Sequence, residues 1–226
     1  MLIKVCGLRN PDNVRAVEAL HPDMIGFIFC EKSPRDVGLT VIRSSSFGTM
    51  DESGHPVAAV GMPVRVGVSV NAMAQDIIAQ VYHNRLGAVQ LHGDESPVFV
   101  DNLRRSIVPD IRADLTIIKA IGVSDASDLR KGAPYEGHAD LLLFDTKCDG
   151  RGGSGKKFDW TILNAYDGHL PFIVSGGIGP DDIDAVTAIK HPLFAGIDVN
   201  SAFETAPAMK DTGLLATFIT AVRAKG

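Results

Sequence analysis

A thiol, a carboxyl group and a set of glycine-rich loops are the parts of this chain best suited to chemistry. Cys6 follows the apolar stretch Leu2–Val5, and Asp145 follows the run from Leu141 to Phe144. A thiol and a carboxyl supplied by different strands offer one base and one acid, the pair that an isomerisation needs. Plainer roles stand beside these: a free cysteine commonly packs as a small hydrophobe, and a carboxylate leaving a strand can cap the next loop. Two further segments, Ser175-Gly176-Gly177-Ile178-Gly179 and Asp198-Val199-Asn200-Ser201, each lead into a helical pattern. Glycine lets backbone N–H groups close on an anion, and a helix N-terminus adds a favourable dipole. Tight turns alone would also use these glycines, but two such loops side by side favour phosphate.

A third loop, Asp149-Gly150-Arg151-Gly152-Gly153-Ser154-Gly155, ends in Lys156 and formally matches GxxxxGK. Nucleotide hydrolysis would require Ser or Thr next, for Mg²⁺, and Lys157 stands there instead. The expectation is a lid over the phosphate. Lys4, Ser33, Arg35, Gln90, His92 and Lys119 also fall at the ends of apolar runs. His92 is the residue type that titrates near neutrality, yet a lone histidine serves as a hydrogen-bonding loop residue more often than as an acid or base. Cys6, Cys30, Cys148 and His92 lack CxxC-type spacing, so no metal site is expected.

The elements that must position these groups follow a regular alternation. Strands are expected at Leu2–Val5, Met24–Phe29, Val64–Val70, Ala88–Leu91, Thr116–Ala120, Asp140–Phe144, Phe172–Val174 and Phe194–Val199. Each is a nearly continuous apolar run, the pattern of parallel strands buried on both faces. Helical periodicity fills the intervals, as at Val14, Val17 and Leu20 or Ile77, Ile78 and Val81. Asn10-Pro11-Asp12 opens the first helix, Asn71 is placed to cap the third, and Gly179-Pro180-Asp181-Asp182 opens the seventh.

Eight strand–helix units predict an α/β fold, a single-domain (β/α)₈ TIM barrel of phosphate-binding type spanning residues 1–226. An open doubly wound sheet would carry GxGxxG after its first strand, where this chain has Cys6-Gly7-Leu8. The interval from Thr40 to Pro63 is dominated by polar turn formers and predicts a surface excursion. In such barrels the active site lies at the C-terminal strand ends, with phosphate held after strands seven and eight.

Composition narrows the function class. With 45% apolar and 22% charged residues the chain can bury a full core. A net charge of −5 and no Lys/Arg-rich run argue against nucleic acid as a partner. No apolar run approaches the roughly 18 residues of a membrane span, and the N-terminus lacks a signal-peptide pattern. Three cysteines, an odd number without CxxC pairs, argue against a disulfide framework. Cytoplasmic location is expected, as a monomer or weak homodimer.

At these residues the chain resembles the phosphoribosylanthranilate isomerase family of tryptophan biosynthesis. The resemblance is carried by Lys4-Val5-Cys6-Gly7, Lys32-Ser33-Pro34-Arg35, Gln90-Leu91-His92-Gly93-Asp94-Glu95, Phe144-Asp145-Thr146, Gly153-Ser154-Gly155, Ser175-Gly176-Gly177, Asp198-Val199-Asn200-Ser201 and Pro207-Ala208-Met209-Lys210-Asp211. It implies an Amadori rearrangement of N-(5-phosphoribosyl)anthranilate to the 1-amino-1-deoxyribulose phosphate. Asp145 would be the general acid at the furanose oxygen and Cys6 the general base at C2′. No cofactor is implied, because the iminium is itself the electron sink.

The resemblance further places Lys4, Arg35, Gln90 and His92 against the substrate, Arg35 on the anthranilate carboxylate. Gly153, Ser154, Gly155, Ser175, Gly176, Gly177, Asn200 and Ser201 would hold the phosphate. As base, Cys6 would need activation toward the thiolate, with Lys4 on the same face of the strand supplying positive charge. Two positions depart from the family pattern: Cys30-Glu31 and Ser69 stand where aromatic residues are usual. The alternatives are another phosphosugar barrel isomerase and a non-catalytic phosphate-binding barrel. The related ribonucleotide isomerase of histidine biosynthesis would use aspartate where Cys6 stands, and a barrel without activity has no need of both Cys6 and Asp145.

Overall fold

Runs of Val, Ile and Leu without polar alternation make stable strands only when both faces are covered, and a closed barrel wrapped in helices supplies that cover. The computed structural model describes residues 1–38, 49–50, 56–57, 61–146 and 159–225. Its strands are β1 (Leu2–Val5), β2 (Met24–Phe29), β3 (Thr49–Met50), β4 (Pro56–Val57), β5 (Val64–Ser69), β6 (Ala88–Leu91), β7 (Thr116–Val123), β8 (Leu141–Thr146), β9 (Phe172–Val174), β10 (Phe194–Val199), β11 (Glu204–Ala206) and β12 (Met209–Lys210). Eight of them close a parallel barrel in the order β1-β2-β5-β6-β7-β8-β9-β10, with β10 pairing back onto β1. The seam sets Lys4 opposite Asp198. β11 and β12 form an antiparallel hairpin after the last barrel strand, a feature absent from the expected elements.

Alternation along each strand sorts residues into two layers. Val66, Ala88, Ile118, Ala120, Leu141, Leu143 and Ile173 form one buried cluster, the filling of the barrel. Their strand neighbours at odd offsets, among them Ile3, Phe27, Phe144 and Phe172, pack outward against the helices. By the same alternation Lys4 and Cys6 continue the inner face of β1, while Leu141, Leu143 and Asp145 share the inner face of β8.

Helices α1 (Pro11–Glu18), α2 (Ala74–Asn84), α3 (Pro97–Ile107), α4 (Ile183–Thr187) and α5 (Thr212–Lys225) supply the outer cover. The Asn10 side chain accepts from the backbone N–H groups of Asp12 and Asn13, with Pro11 in the first turn, as the local sequence predicts. Asn71 is not the cap of α2; Met73 holds that position without a side-chain bond. Asn71 instead adopts φ +50° and exchanges bonds with the neighbouring loop, its N–H reaching Glu95 Oε1 at 2.8 Å and its Oδ1 taking the Asp94 N–H at 2.6 Å. Loop-to-loop bonding outcompetes local capping there.

After β7 and β8 the expected helices are 3₁₀ segments, Ala126–Tyr135 and Trp160–Ala165. The first contains Pro134 and approaches the sheet so closely that a Cβ on Gly132 would sit 2.5 Å from Leu142 Cδ1. Gly179-Pro180-Asp181-Asp182 opens a 3₁₀ turn that runs on into α4. β7 extends to Val123 and β8 to Thr146 because the two stay in register through Gly122 and Asp145. Asp140, expected to start β8, folds its carboxylate back onto the Ile117 N–H (2.7 Å) and Arg104 (2.8 Å).

Most of the Thr40–Pro63 interval lies outside the described residues; within it β3 and β4 pair as a sheet separate from the barrel. Among the described residues, no helix is long and apolar enough to cross a membrane.

The seam explains one tight spot. A Cβ on Gly196 of β10 would overlap the Leu2 carbonyl oxygen, backbone that cannot yield without parting the strands. Gly196→Ala is therefore expected to destabilise the fold by about 1–3 kcal/mol, as overpacking does. Gly213→Ala, in the first turn of α5 with only ordinary contacts, should be neutral or stabilising by up to about 1 kcal/mol. Urea denaturation of the two variants against the parent checks both signs.

Candidate active site

The C-terminal ends of the barrel strands bring together two groups of polar side chains. The first spans the β1–β10 seam. Lys4 is 1% exposed and its Nζ lies 2.8 Å from Asp198 Oδ2. Cys6, two residues on, shares this face and is equally buried. Its space is made by Gly26 of β2, where an added Cβ would approach Sγ to 2.6 Å. Among the described residues, the buried Asp198 Oδ1 has no hydrogen-bond partner, an expensive condition for a carboxylate oxygen.

The electrostatics of this group are set by burial. Burial pushes the Cys6 thiol above its ordinary value; Lys4 and Lys210 pull it down, Asp198 pushes it further up, and the net direction is upward. Burial works against charge on Lys4, but Asp198 and Cys6 outweigh it and the ammonium is held more firmly than usual. Asp198 is raised, by burial first and also by the charge of Asp145, with Lys4 and His92 opposing. Lys4 supplies the positive charge expected of it. Lys4 does lower the thiol, but its charge is shared with Asp198 and desolvation prevails.

The second group joins β6 to β8. Gln90 Nε2 lies 2.8 Å from His92 Nδ1, and His92 Nε2 lies 3.2 Å from Asp145 Oδ2. With the amide nitrogen facing Nδ1, that nitrogen is the acceptor and Nε2 carries the proton toward Asp145, an assignment made from the network. Gln90 is 1% exposed, beneath the imidazole. Cys6 and Asp145 both continue the inner faces of their strands, and the charge of Asp145 adds to what raises Asp198.

Arg35 approaches from the loop after β2. It crosses Gly7, which has φ +78° and where a Cβ would stand 2.7 Å from Arg35 Cδ and 2.5 Å from Asn200 Oδ1. Its guanidinium is paired with Glu204 of β11, Nη2 to Oε2 at 2.7 Å. Asn200 accepts from Lys210 Nζ twice, at Oδ1 (2.6 Å) and at its carbonyl oxygen (3.2 Å).

On the phosphate side, Ser175, Gly176 and Gly177 follow β9 half-buried, the two glycines at φ +92° and +73°. Gly176 is required by space as well as by φ, since a Cβ would strike the Thr146 side chain. Ser201 opens a 3₁₀ turn and is exposed. Gly153, Ser154, Gly155 and Cys148 lie outside the described residues.

Lys119 does not join the mouth. It occupies the outward face of β7, where Nζ bonds the Leu91, Gly93 and Ala120 carbonyls and Glu95 Oε2. Asp198, Glu204 and Lys210 carry no role in the residue-by-residue expectations. The sequence shows Asp198 only as part of the segment Asp198–Ser201 and Lys210 only within a motif; the partner of Asp198, Lys4, is brought in by closure of the ring.

A closed parallel barrel with ammonium, thiol, imidazole and carboxyl groups around one rim defines the class: a (β/α)₈-barrel enzyme equipped for acid–base chemistry on a small anion. The family model described as N-(5'phosphoribosyl)anthranilate (PRA) isomerase matches residues 3–221. The chain belongs to that family. It is 42% identical over 219 residues to N-(5'-phosphoribosyl)anthranilate isomerase of Parabacteroides distasonis, covering 97% of this chain and 92% of the relative. It superposes on phosphoribosyl anthranilate isomerase of Thermotoga maritima with a TM-score of 0.75, 28% identity and 99% coverage of both chains. A phosphoribosyl anthranilate isomerase solved in complex with reduced 1-(o-carboxyphenylamino)-1-deoxyribulose 5-phosphate gives a TM-score of 0.71 at 27% identity, again over 99% of each chain.

The arrangement predicts how Cys6 reacts. Its alkylation by iodoacetamide should titrate with a midpoint above that of the same thiol in the urea-unfolded chain, and Lys4→Met should move the midpoint higher still, since a stabilising cation is lost. Mass spectrometry of the Cys6 peptide across a pH series measures this. A native midpoint below the unfolded one would contradict the burial argument.

Proposed function

We propose that the chain catalyses the Amadori rearrangement of N-(5'-phosphoribosyl)anthranilate to 1-(2-carboxyphenylamino)-1-deoxyribulose 5-phosphate, the isomerase step of tryptophan biosynthesis, with Asp145 as acid and Cys6 as base. The observation that supports the assignment of roles is the pair of groups at the barrel strand ends, thiol–ammonium–carboxylate at the β1–β10 seam and imidazole–carboxyl at β6–β8. Family membership over residues 3–221 supplies the reaction.

Asp145 gives its proton to the furanose oxygen as the C1′–O bond breaks, and the lone pair of the anthranilate nitrogen forms C1′=N, leaving an iminium. The thiolate form of Cys6, a minority that Lys4 and Lys210 favour against burial, takes the C2′ proton; the electrons of that C–H bond form C1′=C2′ and neutralise the iminium. The enolamine then becomes the 2′-ketone with protonation at C1′. Lys4 steadies the negative charge that arises on Sγ, and the unpartnered Asp198 Oδ1 is an acceptor for a sugar hydroxyl. The phosphate sits against Ser175, Gly176, Gly177, Asn200 and Ser201, with Gly153, Ser154 and Gly155 from the loop after β8. Arg35 meets the anthranilate carboxylate and His92 lines the cavity beside Asp145. Gln90, expected against substrate, serves beneath His92.

Loss of either proton-transfer group should reduce kcat for phosphoribosylanthranilate by roughly 10²–10⁴, the usual range for a general acid or base. Fluorescence decay of the substrate with Cys6→Ser and Asp145→Asn tests this, with circular dichroism confirming the fold. Rates equal to the parent in both variants would refute the assignment.

A further inference from the structure

Glu204 stands on the hairpin after the last barrel strand, outside every role given above. Its carboxylate engages Arg35 along a single edge: Arg35 Nε lies 2.9 Å from Oε1 and 3.2 Å from Oε2, and Nη2 lies 2.7 Å from Oε2. On a guanidinium, Nε and Nη2 share the side edge. Filling it leaves the end-on edge, Nη1 with the outer hydrogen of Nη2, as the remaining place for a second planar anion. Nη1 has no partner among the described residues, and the side chain is 15% exposed.

Glu204 cannot swing away from this duty. Oε1 also accepts from Lys210 Nζ at 2.7 Å and from the Ala208 backbone N–H at 3.2 Å. Lys210 is in turn fully buried and bonded to the carbonyl oxygen and Oδ1 of Asn200. Hairpin, β10 terminus and Arg35 therefore form one braced unit. Both charges of the clasp are secure, Arg35 raised by its bond to Glu204 and Glu204 lowered, against its burial, by Arg35 and Lys210.

We infer that Glu204 is a specificity-determining positioning residue: by holding the side edge of Arg35 it aims the end-on edge at the substrate's ortho-carboxylate, and so selects the carboxylated arylamine over an unsubstituted one. This rests on the function proposed above. A long arginine left to itself would lose rotamer freedom on every binding event; one already clamped does not. The effect should appear as discrimination between ligands that differ only in that carboxylate.

The test is calorimetric titration with reduced 1-(o-carboxyphenylamino)-1-deoxyribulose 5-phosphate and with its counterpart lacking the carboxyl group. Glu204→Gln is expected to weaken the carboxylated ligand roughly tenfold, the scale of one charge-assisted contact, and to leave the other within about twofold. KM for phosphoribosylanthranilate should rise correspondingly, with a smaller change in kcat. Glu204→Asp, which keeps the charge for Lys210 but shortens the reach to Arg35, should show the same selective loss and serves if the first variant does not fold. In an Arg35→Lys background, where the side edge no longer exists, Glu204→Gln should add nothing to the discrimination. Equal weakening of both ligands, or no change in either, would overturn the inference while leaving the function intact. Failure of the parent chain to bind either ligand would overturn the function itself.

Discussion

Lys4 and Asp198 are 194 residues apart in the chain and 2.8 Å apart in the fold, because the first and last barrel strands meet in register at these two positions. Neither charge has water to fall back on, so each depends on the other; removing one partner from such a pair costs far more than the pair itself is worth. The rest of the rim takes its electrostatic bearing from this contact. Cys6 lies on the same strand face, drawn down by the ammonium and pushed up by burial and by the carboxylate. Asp145, across the cavity, acts on Asp198 and raises it. One oxygen of that carboxylate is satisfied by Lys4, and the other has no partner among the described residues.

The rim is held from outside as much as from within. His92 sits in a loop whose backbone is tied by Lys119 to the Leu91 and Gly93 carbonyls and by Glu95 to the Gly93 and Asn71 N–H groups. The Tyr135 hydroxyl donates to the Glu95 carbonyl and its ring lies under the Lys119 ammonium. These groups lie on the outer face of the sheet, yet they decide where the imidazole beside Asp145 points. On the opposite side, Glu204 and Lys210 do the same for Arg35. Both supports use buried, fully bonded charges, which are costly to build and for that reason hard to displace.

Much of this was legible in the residue string. Continuous apolar runs such as Leu2–Val5 and Ala88–Leu91 have the strand bounds expected of them, since hydrophobic periodicity is a local property. Asn10-Pro11 caps its helix as expected for the same reason. Asn71 did not cap, because the competing partner, Asp94, comes from the next loop. Lys119, taken for a rim residue, faces outward; a lysine inside an apolar run cannot declare which face it is on until the register of its neighbours is known. Glu204 and Lys210 gave no local signal, as they lie on a hairpin that no periodicity announces.

By itself the amino-acid sequence determined the alternation of strands and helices, the closure they require, and the identity of the groups at the strand ends, because burial pattern and residue type act over a few neighbours. Only the tertiary structure decided which of those groups meet. Pairing across the seam, the upward push on the Cys6 thiol and the clasp on Arg35 all arise from contacts between segments distant in the chain, and a charge's energy depends on what surrounds it in space.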